Sequence, residues 1–317
     1  MGYVRLEDYW DWMLEQEDLE KVFCVTDNVP LRRELFNKYV YTINLELSAY
    51  CNRSCSYCPV SIYPRKQELM ASDIFRKVLD NLEFIGYTGG IGLNLFNEPL
   101  YDELLEERIR QIKEKLPSAY IYFNSNGDKL SSERIESLWN AGLSRIQITI
   151  QTASNEEWND DKKREEFKRF LKKIGKVEYY EKREEQEGRS IIVTIPYEEK
   201  RCIILKCNNW ARYGNDRGGV LKDLSIRERL EPCMNPVREF SIAYDGSIKL
   251  CCNIYFEAPD CGNIMDKGIL DFYFGEQLVS FRKKLFCYGE KANPCSTCNT
   301  GIEMVSDNNL RKIREIL

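Results

Sequence analysis

The chemistry in this chain is concentrated in its cysteines. Three of them share one short segment, Cys51-Asn-Arg-Ser-Cys55-Ser-Tyr57-Cys58, spaced C-x3-C-x2-C. Three thiolates from one loop can bind three irons of a cubane and leave the fourth open to a chelating cosubstrate. Zinc is the competing occupant, but a structural zinc takes four ligands, and this segment offers three with no fourth nearby. A second set, Cys233, Cys251, Cys295 and Cys298, is spaced C-x17-C-x43-C-x2-C. Four thiolates close a site completely, which suits an electron-transfer cluster or, alternatively, a zinc ribbon. Spacing does not separate Cys251 from its neighbour Cys252; we take Cys251 as the ligand.

Composition narrows the chemistry further. The 317 residues include thirteen cysteines and no histidine. Reducing compartments disfavour structural disulfides, so so many thiols point to metal or redox chemistry. The absence of histidine removes the commonest general base, the Ser-His and Cys-His nucleophile pairs, and histidine-bound zinc or haem. Apolar residues make up 43% of the chain, enough for a substantial core. A net charge of −5 argues against non-specific binding to nucleic acid. No apolar run is long enough to span a bilayer, and Arg5, Glu7, Asp8 and Asp11 follow Met1, so the expectation is a soluble cytoplasmic protein without a membrane partner. Cys24, Cys202, Cys207, Cys252, Cys261 and Cys287 read as small buried hydrophobes, with Cys252 also a candidate hydrogen-atom donor.

These residues need elements to position them. Residues 1–40 predict two short helices. Alternation then begins: strands at Tyr41–Leu47, Ile91–Phe96, Ala119–Phe123, Ile146–Ile150, Ser190–Ile195 and Cys202–Lys206. Helices are expected from Ser72, as a cap, through Leu82, and over 102–116 and 131–141. The charged stretch 160–187 predicts a solvated helix. Strand–helix alternation means parallel strands with crossovers, and six of them make an open barrel. Beyond residue 220 the pattern changes: Phe240–Ala243, Asp245-Gly246 and Ile248–Cys251 predict a hairpin with a tight primed turn, in a module holding seven of the thirteen cysteines. The expected divisions are therefore a helical extension (1–40), a barrel (41–219) and a cysteine-rich module (220–317).

The first cysteine segment, with an aromatic residue before its third cysteine and a place after the first strand, resembles the signature of the radical S-adenosylmethionine superfamily. The resemblance implies an α/β fold, a partial (β/α)6 barrel, and a [4Fe-4S] cluster at which S-adenosylmethionine is reductively cleaved to a 5′-deoxyadenosyl radical. It implies cofactor-binding roles for Tyr57 near the adenine, and for Asn97 and Glu98 in Phe96-Asn97-Glu98-Pro99, where Asn97 stands in place of a glycine. Asn124 and Asn126, in a segment similar to the family's Thr-Asn-Gly, and Gln147, Thr149 and Gln151, which share one strand face by period two, complete that set. The second cysteine set resembles the auxiliary-cluster module of SPASM and twitch enzymes; with four cysteines it fits the shortened twitch form, and it implies a second [4Fe-4S] cluster.

The segment Asn208-Asn209-Trp210-Ala211-Arg212-Tyr213-Gly214-Asn215-Asp216-Arg217 resembles a loop that follows the sixth strand in these enzymes, and it makes Arg212 and Arg217 candidate catalytic groups beside Cys252. The auxiliary spacing is similar to that of twitch dehydrogenases acting on aminocyclitols. The reading this favours is a two-electron oxidation of a small polar, cyclitol- or sugar-like substrate, with an electron donor such as flavodoxin or ferredoxin. A peptide maturase or epimerase, and a non-catalytic zinc or iron–sulfur protein, stay open as alternatives.

Overall fold

In the computed structural model the described residues are 6–150, 157–175, 182–198, 201–224, 227–256, 259–302 and 305–316. They contain strands β1 (Thr42–Leu45), β2 (Gly90–Gly92), β3 (Tyr120–Ser125), β4 (Arg145–Thr149), β5 (Lys182–Gln186), β6 (Ser190–Glu198), β7 (Arg201–Asn208), β8 (Glu239–Ile242) and β9 (Ile248–Lys249). The chain divides into two compact units, one of Met1–Leu45, Met70–Gly90 and Asn215–Leu317, the other of Glu46–Leu69 and Ile91–Gly214.

In the second unit β3, β4 and β7 run parallel, in the register Tyr122↔Arg145↔Cys202 and Asn124↔Gln147↔Ile204. Side chains alternate along them. Ile121, Phe123, Ile146, Ile148, Ile203 and Leu205 are fully buried on one face, while Tyr122, Asn124, Arg145, Gln147, Thr149 and Lys206 are half-buried on the other. Burying each such apolar side chain contributes about 1.5–3 kcal/mol, which fixes the register and turns the polar residues to the opposite face. The helix Ser132–Ala141 returns the chain between β3 and β4. Ser131 Oγ accepts from Arg134 N at 3.2 Å to start it, and Gly142, at φ 106°, ends it in the left-handed conformation that glycine tolerates.

Three expectations are corrected in this unit. The sixth-strand arrangement is not all parallel. β6 pairs antiparallel with β7, because two residues separate them and no crossover fits, and β5 pairs antiparallel with β6. The charged stretch 160–187 is helical only over Asp160–Lys173 and returns as β5 over Lys182–Gln186. The strand expected over Ile91–Phe96 ends at Gly92. Leu95 N is taken by Asn97 Oδ1 at 3.1 Å and Phe96 N by Glu46 Oε1 at 2.9 Å, so side chains capture the amides a ladder would need.

In the first unit β8 pairs parallel with β1 and antiparallel with β9. The hairpin is present, but its turn is not the primed two-residue type. Gly246 N donates to Ala243 O and Ala243 N to Ser247 O, and Gly246 alone has positive φ, whereas a primed turn would also need it at Asp245. Ser72 is the first helical residue of Ser72–Ile85 and Ala71 its cap. Helices Leu6–Leu14 and Val29–Tyr39 supply the expected N-terminal pair. The apolar centre of this unit includes Trp10, Phe23 and Phe286, with the buried Arg282 guanidinium 3.9 Å above the Tyr273 ring and donating to Val22 O.

Candidate functional site

The loop that follows β1 presents Cys51, Cys55 and Cys58 half-buried and unbridged. Cys58 N donates to Cys55 O at 2.9 Å, forming a tight turn. Burial, then the Glu98 carboxylate and the thiols of Cys58 and Cys55, push Cys51 up to about 11. A thiol raised in this way is held as a thiolate only when a cation neutralises it, and three such donors converge in one loop. The donor set therefore fits an iron cluster. Neighbouring polar side chains fasten the loop: Asn52 Nδ2 and Arg53 Nε each donate to Asp128 Oδ2 at 2.8 Å, and Asn126 Nδ2 donates to Asn52 Oδ1 at 2.7 Å.

Around this loop lie most of the expected cofactor-binding residues. Tyr57 stacks on Trp210, with centroids 5.7 Å apart and planes 26° apart, and burial raises its hydroxyl. Asn97 is engaged with Leu95 N and Ser48. Glu98 is only 3% exposed, and its carboxylate accepts from Ser125 Oγ at 2.6 Å, Asn126 N at 2.7 Å and Leu100 N at 3.1 Å. Burial raises it and those bonds lower it, so its visible work is to brace the turn after β3. Asn124 is half-buried, its N bonded to Asn94 Oδ1 at 2.8 Å and its own Oδ1 without a partner. Gln147 and Thr149 share its face, and Gln151 lies outside the described residues. A cavity of about 370 Å³ is lined by Arg53, Asn126, Gly127, Thr149 and Arg169, among others. Sequence reasoning missed Arg145, Lys206 and Asn208 on this same face. The alternation Arg145-Ile-Gln147-Ile-Thr149 and Lys206-Cys-Asn208 carried the signal; Arg145 and Asn208 lie just beyond the expected strands, and Lys206, the last residue of its expected strand, was given no role.

The first unit holds the second thiol set. Cys295 is pushed up to about 12 by burial and then by Cys233 and Cys298, and Cys251 is raised by burial, with Cys252, Glu239, Cys295 and Cys298 adding. Burial and Cys298 raise Cys233, while the Arg229 guanidinium opposes them. Arg229, 1% exposed, donates to Glu231 O (3.0 Å), Cys298 O (3.1 Å), Thr300 O (2.7 Å) and Pro232 O (2.8 Å), tying together the backbone around Cys233 and Cys298. Cys252 lies against Glu239: its N bonds Glu239 Oε1 at 3.0 Å, and after burial Glu239 is the chief influence on its thiol. Arg217 has φ 53°, its N bonded to Asn215 Oδ1 at 2.6 Å and its Nη1 to Asn253 Oδ1 at 2.8 Å. Arg212, in the other unit, is exposed, its guanidinium 5.5 Å from the Tyr213 ring.

Residues 45–198 match the family model of the Radical SAM superfamily, and residues 233–299 match that of an iron-sulfur cluster-binding domain, SPASM. This chain carries a radical SAM domain followed by an SPASM domain. The two domains make S-adenosylmethionine and iron–sulfur clusters, at least one of them [4Fe-4S], the cofactors of this radical SAM enzyme. The S-adenosyl-L-methionine-dependent 2-deoxy-scyllo-inosamine dehydrogenase of Niallia circulans is 22% identical over 266 residues, spanning 83% of this chain and 94% of that one. The crystal structure of BtrN in complex with AdoMet and 2-DOIA superposes with a TM-score of 0.64 at 22% identity, again over 83% and 94% of the two chains. BtrN in an open conformation gives 0.56 at 19% identity, over 82% and 92%. These likenesses show the fold, an open α/β sheet of the radical SAM kind. Among the described residues no helix is long and apolar enough to cross a membrane.

Proposed function

We propose that this radical SAM enzyme removes two electrons from a small polar, cyclitol- or sugar-like substrate. In this reading Cys51, Cys55 and Cys58 hold the cluster that binds S-adenosylmethionine, and Cys233, Cys251, Cys295 and Cys298 close an auxiliary cluster. When bound, the first cluster and its cosubstrate supply a 5′-deoxyadenosyl radical able to take a hydrogen atom from an unactivated C–H bond. The observation that carries the reading is the presence of a three-thiol loop in the unit with a polar strand face, and of a separate set of four buried or half-buried cysteines. A closed four-cysteine site leaves no open iron to grip a substrate, so electron acceptance is its natural role. The span of 94% of the Niallia circulans dehydrogenase supports the same reaction class.

The chain's own residues orient and enclose the reaction. Tyr57 and Trp210 form one aromatic wall, and Asn124, Gln147 and Thr149 offer hydrogen bonds from the strand face. Glu98, Asn52, Arg53 and Asp128 keep the cysteine loop and the turn after β3 in place. Arg217, held in an unfavourable backbone conformation beside Cys252, is the candidate for steering the proton that leaves with the second electron. A flavodoxin or ferredoxin serves as electron donor. The module boundary falls near residue 219.

Anaerobically reconstituted protein is expected to carry about eight irons per chain. Replacing Cys51, Cys55 and Cys58 together by Ala removes about half of that iron and all 5′-deoxyadenosine formation; continued cofactor cleavage would sink the proposal. Turnover in deuterated water tests the outcome. Oxidised product without solvent deuterium at the reacting carbon fits dehydrogenation, whereas an inverted, deuterated product of unchanged oxidation state means epimerisation.

A further inference from the structure

Resting on that reading, we infer that the substrate is an anion, a sugar- or cyclitol-like carboxylate or phosphate, held by Arg145 and Lys206 on the polar face of β4 and β7. These two cations lie on adjacent parallel strands, with Arg145 opposite Cys202 and Lys206 opposite Thr149. They are built into the face. The Arg145 guanidinium lies 4.3 Å from the Tyr122 ring centroid, and a Cβ at Gly92 would come within 2.9 Å of that same phenol, so β2, β3 and β4 sandwich one ring under one charge. Lys206 Nζ lies 6.0 Å from the Trp210 ring centroid, and Trp210 stacks in turn on Tyr57 of the cysteine loop.

Among the described residues no carboxylate pairs with either cation, and the buried acids of this unit are committed elsewhere. Glu46 holds Arg65, Asp102 holds Arg108, and Glu98 accepts from Ser125, Asn126 and Leu100. A buried cation without a counter-charge is costly, and here burial and Arg145 depress the Lys206 ammonium accordingly. Among the described residues, polar atoms of the same unit are also left unmet: Arg145 Nε, Asn124 Oδ1, Asn208 Oδ1 and Trp210 Nε1 are buried without hydrogen-bond partners there. Buried polar atoms are almost always satisfied. An anion carrying hydroxyls, placed between Lys206 and Arg145, supplies acceptors to the cations and to Trp210, and donors to the two asparagines. An amine, such as the 2-deoxy-scyllo-inosamine named for the Niallia circulans enzyme, would meet two like charges instead.

The test is equilibrium binding to the reconstituted holoenzyme, followed by calorimetry, with four hexose probes that differ in charge: glucuronate, glucose 6-phosphate, glucose and glucosamine. Binding of glucuronate or glucose 6-phosphate in preference to the other two is expected, and the better of the pair tells carboxylate from phosphate. Lys206→Met and Arg145→Met should each weaken that anion about 10- to 100-fold, the loss of one charged hydrogen bond, and Lys206→Arg should restore most of it. Thermal melting of the same variants certifies that they fold. Equal or tighter binding of glucosamine, no measurable anion binding, or anion binding unchanged in both Met variants overturns the inference. So does displacement of the anion by saturating S-adenosylmethionine, because the cations would then serve the cosubstrate's carboxylate. Formation of 5′-deoxyadenosine by the unmodified enzyme without any probe reports on the radical reading separately.

Discussion

Replacing Arg229 by Met removes one side chain and four hydrogen bonds at once. Its guanidinium serves the carbonyls of Glu231, Pro232, Cys298 and Thr300 at 2.7–3.1 Å, in an interior that leaves it 1% exposed. Methionine matches the apolar stem but donates nothing, so four acceptors lose their partner. Under-satisfied carbonyls are tolerated better than orphaned amides, and about 1 kcal/mol for each gives a loss of about 4 kcal/mol. Against a domain stability of about 5–15 kcal/mol this is severe, and it corresponds to a melting point lower by roughly 10 °C. The carbonyls flank Cys233 and Cys298, so the auxiliary cluster should be lost while the Cys51, Cys55 and Cys58 cluster stays. Arg229→Lys keeps the charge but loses the planar fork, and should fall between. The assays are iron per chain, electron paramagnetic resonance of the reduced protein, and differential scanning fluorimetry. Arg229→Met with full iron and a melting point within 2 °C, a shift of under about 1 kcal/mol, would show that the four bonds do not hold the module.

Two further outcomes follow from the same unit. Cys251→Ser should lose the auxiliary cluster and Cys252→Ser should retain it, because Cys295 and Cys298 are among the groups that act on Cys251, whereas the chief neighbours of Cys252 are Glu239, Arg238 and Arg217; iron analysis showing the reverse would reassign the ligand. Asp18 is raised by burial, but its bonds to Lys38 and Tyr39 outweigh this and leave it below the usual carboxylate range. Its contribution is thus present above the unfolded value and fades as pH falls through the folded one. Asp18→Asn should cost about 1 kcal/mol at pH 7, a cost still largely present at about pH 4, where the unfolded carboxylate titrates, and lost only at lower pH, as the folded carboxylate is protonated, measured by urea unfolding of the apoprotein; a difference that does not change with pH would refute it.

The cysteine sets and the strand–helix alternation were legible because each rests on local spacing. Ile146 and Ile148 against Gln147 and Thr149 reveal one face of one strand without any knowledge of neighbours. Direction was legible in part for β6: an apolar run reads the same parallel or antiparallel, but too few residues lie between Ser190–Ile195 and Cys202–Lys206 for a long crossover helix, and the antiparallel pairing follows from that short connection. The end of β2 was hidden for a different reason: Glu46, fifty positions away, removes the Phe96 amide from the ladder. Glu98 was recognised as a residue of the site, but its three donors come from Leu100, Ser125 and Asn126, a convergence no periodicity announces. Arg145 was overlooked because strand ends are the least legible part of an element, and Lys206, although inside its expected strand, because a lone lysine does not show which face it shares until its neighbour on β4 is known.

The parallel pairing of β1 with β8 sets an order on assembly. Asn44 Nδ2 bonds Ser241 Oγ across 197 positions, and Thr42 to Leu45 have their partners at Glu239 to Ile242. On a ribosome the strand that leads into the Cys51 loop therefore emerges long before its neighbour exists, with one edge open throughout most of synthesis. β5, β6 and β7, joined by short connections, close their ladders early at small entropic cost. The strand that leads into the first thiol segment is thus made early but paired late, although the segment's own fastenings to Asn126 and Asp128 are synthesised well before β8.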